Sequence, residues 1–184
     1  MTTSPAKTRS QIGRRNREKG KDFERWVASE IRSRAPDLDV HRGLQSDGAR
    51  HSDVVVPGVW IECQDAKVPT PLDKLEQVRR DLPVAEPRWY QDYLQVAICH
   101  RFGTPRNTSV AYMPLWSFRC LLAMGERKSP HKIKPLLEDG SPELAAVAVA
   151  FPAWIDLLLA GRPWEPQKGD PKGWIEHKQR KKEK

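Results

Sequence analysis

The segment Ser52-Asp53-Val54-Val55-Val56-Pro57-Gly58-Val59-Trp60-Ile61-Glu62-Cys63-Gln64 constrains the fold more than any other stretch of the chain. Two apolar runs rich in β-branched residues flank a Pro-Gly pair, which predicts two antiparallel strands joined by a tight turn. With Pro57-Gly58 as a two-residue loop, Val56 pairs with Val59, Val55 with Trp60 and Val54 with Ile61, and Asp53 falls opposite Glu62. Strand alternation sends Val54, Val56, Val59, Ile61 and Cys63 to one apolar face, and Asp53, Glu62 and Gln64 to the other. Directly paired residues hold their Cβ atoms roughly 5 Å apart. At that spacing two carboxylates can bind one hard cation, and without a cation their mutual repulsion is unfavourable. The same pattern also fits an ordinary half-buried hairpin whose acids face solvent. Pro-Gly favours type I or II turns, whose twist suits a tight hairpin less well than the primed types, so a looser loop or slipped register is the alternative pairing.

Charge points to a polyanionic partner. The chain carries 32 Lys and Arg against 24 Asp and Glu, a formal net charge of +8, with the excess gathered at its ends. Arg14, Arg15, Arg17, Lys19 and Lys21 lead into the first predicted helix, and a basic run from Lys178 to Lys184 closes the chain. Such arms either bind polyphosphate through counterion release or simply keep a protein in solution. Arg42 and Arg50 lie in a Gly- and Ser-containing segment just ahead of Asp53. That segment either embraces a nucleic-acid strand or is a plain surface loop.

At 184 residues the chain is long enough for one domain with a core plus appendages. Punctuation divides it into a flexible basic arm over 1–16, a core over 17–125, a helical extension over 126–166 and a basic tail over 167–184. A first helix is expected near Arg17 to Arg34, stopped by Pro36. Strands follow near Asp39 to Arg42, Asp53 to Val56 and Val59 to Gln64. A helix from Leu72 is ended by Pro83 and Pro87, with Leu72, Leu75, Val78, Arg79 and Leu82 on its buried side and Gln77 off that stripe. Then come strands from Tyr93 to Arg101 and Ser109 to Met113, and a helix from Pro114 to Met124. The apolar segment from Leu144 to Ala160 is interrupted by Pro152 and Asp156 and is short for a bilayer span, so it reads as a core helix. Trp154 reads as core, whereas Trp174 either packs or faces a base or a partner. Cys63, Cys99 and Cys120 lie in apolar contexts without CxxC spacing and read as reduced core residues, and the five histidines show no zinc pattern. The N-terminal stretch is polar and basic, without the apolar region of a secretory signal. A cytoplasmic protein with no membrane partner is expected.

Taken in order, these segments resemble a known family. Gly20-Lys21-Asp22-Phe23-Glu24-Arg25-Trp26-Val27 on a helix, Asp53 heading one strand, Glu62 on the next, and Leu75-Glu76-Gln77 in a helix before the Tyr93 strand resemble the PD-(D/E)XK nuclease superfamily. The likeness is to phage-encoded endonucleases similar to archaeal Holliday-junction resolvases. It covers roughly Gly20 to Leu122, and rests on order and spacing rather than on one motif. It implies an α/β fold with a restriction-endonuclease-like αβββαβ core around a mixed central sheet, followed by the C-terminal helical extension. It also implies Mg²⁺-dependent phosphodiester hydrolysis, with Mn²⁺ able to substitute. Asp53, Glu62 and the backbone carbonyl of Cys63 would be the metal ligands, and Glu24 would hold a water or a second ion.

The chain departs from the family at Gln64, where the pattern has Lys. A Lys ammonium polarises the attacking water and offsets charge on the phosphorane, whereas Gln offers only a neutral amide. Three outcomes are open: Gln64 orients the water itself, Lys67 reaches back into the site, or activity is lost. Glu24 either acts as a ligand or, at the border of the stripe formed by Phe23, Trp26, Val27 and Ile31, only pairs with an Arg. Gln77 either bonds a phosphate or water at the site or faces solvent. Arg14, Arg15, Arg17, Lys19, Lys21, Arg42, Arg50, Gln77 and Arg101 are the candidate nucleic-acid contacts. The resemblance implies a homodimeric DNA endonuclease acting on branched or structured DNA in phage recombination, repair or processing, in the host cytoplasm. Two other readings stand beside it: a non-catalytic DNA-binding or packaging accessory that keeps the fold, and a restriction-type sequence-specific nuclease.

Overall fold

The structure, a computed structural model, describes residues 9–43, 51–87, 92–124, 134–135 and 146–161. The Pro57-Gly58 turn holds the register that the two-residue loop requires. Strand β2 (Val54–Val56) runs antiparallel to β3 (Val59–Ala66), with Val54 opposite Ile61, Val55 opposite Trp60 and Val56 opposite Val59. Gly58 adopts φ 73°, the positive value that a type II turn needs at its third residue and that glycine takes without strain. No looser loop occurs, and the register holds from Val56 opposite Val59 to Val54 opposite Ile61.

Helix α1 (Arg9–Arg34) precedes this hairpin and begins eight residues before the expected start near Arg17. Residues 9–16, expected in a flexible arm, are helical because Arg and Gln are good helix formers and the one glycine among them, Gly13, is too little to break the run. The helix stops at Arg34, just ahead of Ala35-Pro36, since the residue before proline is pushed out of the α region. After β1 (His41–Arg42) and the hairpin come α2 (Pro71–Ala85) and β4 (Leu94–Arg101). A 3-10 turn at Arg106–Thr108, β5 (Val110–Pro114), α3 (Leu115–Met124), β6 (Lys134–Pro135), β7 (Ala146–Ala150) and α4 (Phe151–Gly161) follow.

Among the described residues the sheet has seven strands in the order β1-β2-β3-β4-β5-β7-β6. Every neighbouring pair is antiparallel except β3 and β4. Parallel neighbours cannot be joined by a hairpin, and α2 supplies the crossover between them. The molecule is therefore an α/β protein with a mixed sheet. On β3, Val59, Ile61 and Cys63 share a core with Phe23, Val27 and Ile31 of α1, Phe118 and Leu121 of α3, and Trp154 and Leu158 of α4. The intervening Trp60 packs on Val78 and Leu82 of α2. Three helices thus cover one face of the sheet and α2 covers the other. Phe23, Ile31, Ile61 and Trp154 are wholly buried, and a large apolar side chain so placed contributes on the order of 1.5–3 kcal/mol.

Several expectations about the helices are corrected. The segment from Leu144 to Ala160 is not one core helix: Ala146–Ala150 is a strand paired with β5, and α4 starts at Phe151. The alternating Ala-Val-Ala-Val-Ala suits a strand, and Pro152 sits in the first turn of α4, where its missing N–H leaves no bond unmade. Because β7 extends the main sheet and Trp154 enters the main core, the described part of 126–166 is not a separate helical extension. Gly161 lets α4 close on α3, since a Cβ there would stand 2.8 Å from Leu121 Cδ1 and 3.0 Å from the Leu121 carbonyl. Helix α2 continues through Pro83 to Ala85 instead of ending before it. In the last turn a proline removes only one intrahelical bond. On that helix Leu72 is 46% exposed, and Asp81 rather than Arg79 is buried beside Leu75, Val78 and Leu82. No described helix is long and apolar enough to cross a membrane.

Candidate active site

Asp53 lies one residue before β2, and its N–H donates to the carbonyl of Ile61, the residue paired with Val54, at 2.9 Å, so that the ladder is offset by one residue at the acid. The pairing ends at Val54 opposite Ile61, and Asp53, offset by this bond, still lies close enough to Glu62 for its charge and side chain to act on that carboxyl. Asp53 Oδ2 accepts the Cys63 N–H at 2.8 Å. Since the Ile61 carbonyl faces β2, the two-residue alternation of a strand turns the Cys63 carbonyl to the same edge, past the last paired residue of β2. Two carboxylates and a carbonyl therefore meet at one end of the hairpin.

Glu62 is only 3% exposed. A hairpin with solvent-facing acids does not describe it, because α2 covers that face. Glu62 Oε1 accepts Trp60 Nε1–H at 3.1 Å, Oε2 accepts Gln77 Nε2–H at 3.0 Å, and Lys74 Nζ stands 3.5 Å from Oε2. Lys74 also donates to Gln77 Oε1 at 2.9 Å, closing a small polar network. Burial, and next the Asp53 charge, push Glu62 up to about 8 against the opposing pull of Lys74. Glu24, 7% exposed on α1, is raised by the same two causes in the same order. Arg42 resists that shift: its Nε donates to Glu24 Oε2 at 2.5 Å. Arg42 Nη2 is buried and has no partner among the described residues.

Among the described residues no three His, Cys, Asp or Glu side chains form a ready cation cage. The donor set nonetheless fits a hard divalent ion. Asp53 and Glu62 are oxygen ligands that repel one another, and a cation between them would offset the Asp53 charge, the second of the causes that raise Glu62. Glu24 is bonded to Arg42 and is close enough to feel the Asp53 charge.

The other candidates separate clearly. Gln64 does not address the acids: its Oε1 accepts the Thr70 N–H at 2.7 Å and its Nε2 donates to Thr70 Oγ1 at 3.1 Å. Lys67 is exposed in the turn that follows β3. Gln77 is not solvent-facing as its place off the apolar stripe suggested, but half-buried and bonded to Glu62. Arg14, Arg15 and Arg17 are exposed along α1, Lys21 pairs with Glu18 at 3.3 Å, and Lys19 Nζ lies 3.6 Å above the Phe102 ring. Arg101 is exposed at the end of β4. Arg50, Trp174 and the C-terminal basic run lie outside the described residues.

Sequence reasoning missed Lys74 and Trp60 as groups that contact the Glu62 carboxylate. Lys74, Gln77 and Asp81 are spaced i, i+3, i+7, so one polar stripe runs along α2 beside the apolar Leu75, Val78, Leu82. That spacing was the available signal. It also missed a pair under α1, where His100 Nδ1 meets Asp65 Oδ1 at 3.0 Å while His100 Nε2 lies 3.0 Å from the Thr104 carbonyl oxygen. Both ring nitrogens are occupied and Phe23 stacks on the ring at 5.5 Å, so this pair braces the end of β4. No family model, curated protein or solved structure matches the chain.

Proposed function

We propose that this chain is a divalent-cation-dependent DNA endonuclease that hydrolyses phosphodiester bonds at the Asp53 and Glu62 end of the β2–β3 hairpin. The carrying observation is that Asp53 and Glu62 lie within reach of each other at the end of the hairpin, with the Cys63 N–H 2.8 Å from Asp53 and the Lys74 ammonium 3.5 Å from Glu62. The order α1-β1-β2-β3-α2-β4 agrees with the αβββαβ core that the resemblance implies. Bound Mg²⁺, or Mn²⁺ in its place, would make a water more acidic and offset charge on the phosphate. Asp53, Glu62 and the Cys63 carbonyl would hold it.

Lys74 replaces the lysine that Gln64 displaced. Its ammonium is a compact charge able to offset the negative charge that builds on a phosphate oxygen, and it can donate to the attacking water. Gln77 bridges Lys74 and Glu62 and keeps both in place. Arg42 offers Nη2 to a phosphate oxygen, a charge-assisted bond. The exposed Arg14, Arg15, Arg17 and Arg101, with Lys19 and Lys21, supply backbone contacts to DNA. A branched substrate and a homodimer that cuts two symmetric strands rest on the resemblance alone.

The test is to incubate labelled four-way junction, flap, linear duplex and single-stranded DNA with the protein and Mg²⁺ or Mn²⁺. Metal-dependent cutting, strongest on the junction and abolished by Asp53→Ala or Glu62→Ala, is the expected result. Salt-sensitive binding without cutting, unchanged in those variants, would make the chain a DNA-binding accessory that keeps the fold. Cutting at one duplex sequence would make it a restriction-type nuclease.

A further inference from the structure

Gln64 occupies the strand position from which the family's lysine would act, yet both ends of its amide are committed elsewhere. Oε1 accepts the Thr70 N–H and Nε2 donates to Thr70 Oγ1, so one side chain grips one loop residue at both its backbone and its hydroxyl. Thr70 is the residue at which α2 begins. Its side chain makes no capping bond to the helix, and Pro71 follows it in the first turn. A threonine at that place ordinarily caps the helix N-terminus; here its hydroxyl serves Gln64 instead. The Thr70 carbonyl accepts the Lys74 N–H at 3.2 Å, the first turn of the helix. An unbroken chain of bonds therefore runs from Gln64 through Thr70 to the Lys74 backbone, and from Lys74 Nζ to Glu62 and Gln77.

We infer that Gln64 is a positioning residue: it fastens the β3–α2 loop through Thr70 and so sets the start of α2 where Lys74 reaches Glu62. This deepens the nuclease reading and rests on it for its catalytic consequence. It also gives the exchange of Lys for Gln a physical logic. With the cation delivered from the helix, a second ammonium on the strand would sit beside the first, and the strand position is free to hold the helix in register. A long flexible lysine is useful to a phosphate only if its Cα is fixed, because a shift of about 1 Å in a catalytic group can cost on the order of a hundredfold in rate.

The experiment is a set of cycles on cleavage of the preferred DNA, with kcat and KM measured separately. Gln64→Ala is expected to lower kcat about tenfold and change KM less than about twofold, and to cost nothing further in a Lys74→Ala background. Gln64→Glu keeps both bonds, since a carboxylate accepts from the Thr70 N–H and from its hydroxyl; it is expected to restore most of the lost kcat. If the two losses multiply, or if Gln64→Glu is as poor as Gln64→Ala, the Gln64 amide acts on water or phosphate itself and the positioning role is overturned. A protein that cuts no DNA in any metal defeats the nuclease reading separately. The positioning role is then read from thermal unfolding, as the coupling between Lys74→Ala and Glu62→Gln. Coupling that disappears when Gln64 is Ala supports the role, and coupling that is unchanged overturns it.

Discussion

The two faces of β3 are held in different ways. Toward α1, Val59, Ile61 and Cys63 pack into the apolar core, and the contact is held by buried area. Toward α2, Trp60 packs but Glu62 and Gln64 meet the helix through directional bonds to Gln77, Lys74 and Thr70. Burial is non-directional, so the first face tolerates small adjustments while a missing methyl group is always felt. The second face depends on a few polar atoms standing at set distances. Alternation along one strand thus separates what keeps the fold from what the fold presents.

The largest expected effect lies on the apolar face. Ile61→Ala, at a wholly buried position, should cost about 2–5 kcal/mol of stability by urea denaturation. Its neighbour Glu62→Gln should leave stability at neutral pH unchanged or raised, because folding then no longer has to return a proton to a carboxyl that the unfolded chain has ionised. If both substitutions cost the same, the two faces are not distinct. On the polar face, Lys74→Ala should lower kcat for DNA cleavage on the order of a hundredfold with little change in unfolding midpoint, a decrease comparable to removing one preorganised donor. Lys67→Ala should stay within about twofold of wild type, as an exposed substitution usually does. Equal decreases would return the catalytic cation to the loop.

A smaller effect is in the pH dependence. Glu62 in the metal-free fold is pushed up to about 8, above the ordinary 4.5 expected of the unfolded chain. Between those values the folded state holds a proton that the unfolded state has released. Stability from this group is therefore full below the lower value, falls as pH rises through the window, and levels off above about 8. The slope is at most about 1.4 kcal/mol per pH unit. Glu62→Gln should flatten this fall in metal-free unfolding curves, and identical curves for both proteins would place the shift elsewhere. The smallest effect is at the exposed start of α1. Replacing Arg14, Arg15 and Arg17 with Ala should weaken DNA binding alike for every sequence. The log–log salt slope should shrink by about 0.9 for each phosphate that the protein ceases to neutralise. An unchanged slope would make that segment a solubilising face.

The hairpin was legible because its register has only two settings once one face must be apolar, and Pro57-Gly58 fixes the loop at two residues. The β-branched alternation named the apolar residues that α1 and its companions bury. What covers the other face was not legible from β3 itself. Gln64 reads as a catalytic substitute in a one-strand view, and only the return of the chain through Thr70 shows it bonded to the loop. Lys74 was passed over because helical spacing was read for its apolar stripe, although the polar stripe beside it carries the same period. The Ala146–Ala150 strand was hidden by apolar composition that continues without a break into α4, where periodicity alone does not divide a buried strand from a buried helix.

The most direct test of the Asp53 and Glu62 site is Mn²⁺ binding by titration calorimetry, at constant ionic strength and without DNA. Saturable binding is expected, lost in Asp53→Asn and in Glu62→Gln but retained in Gln64→Ala and Ile61→Val. Binding that survives both acidic substitutions would contradict the proposal, because the Asp53 and Glu62 carboxylates would then not be the cation site.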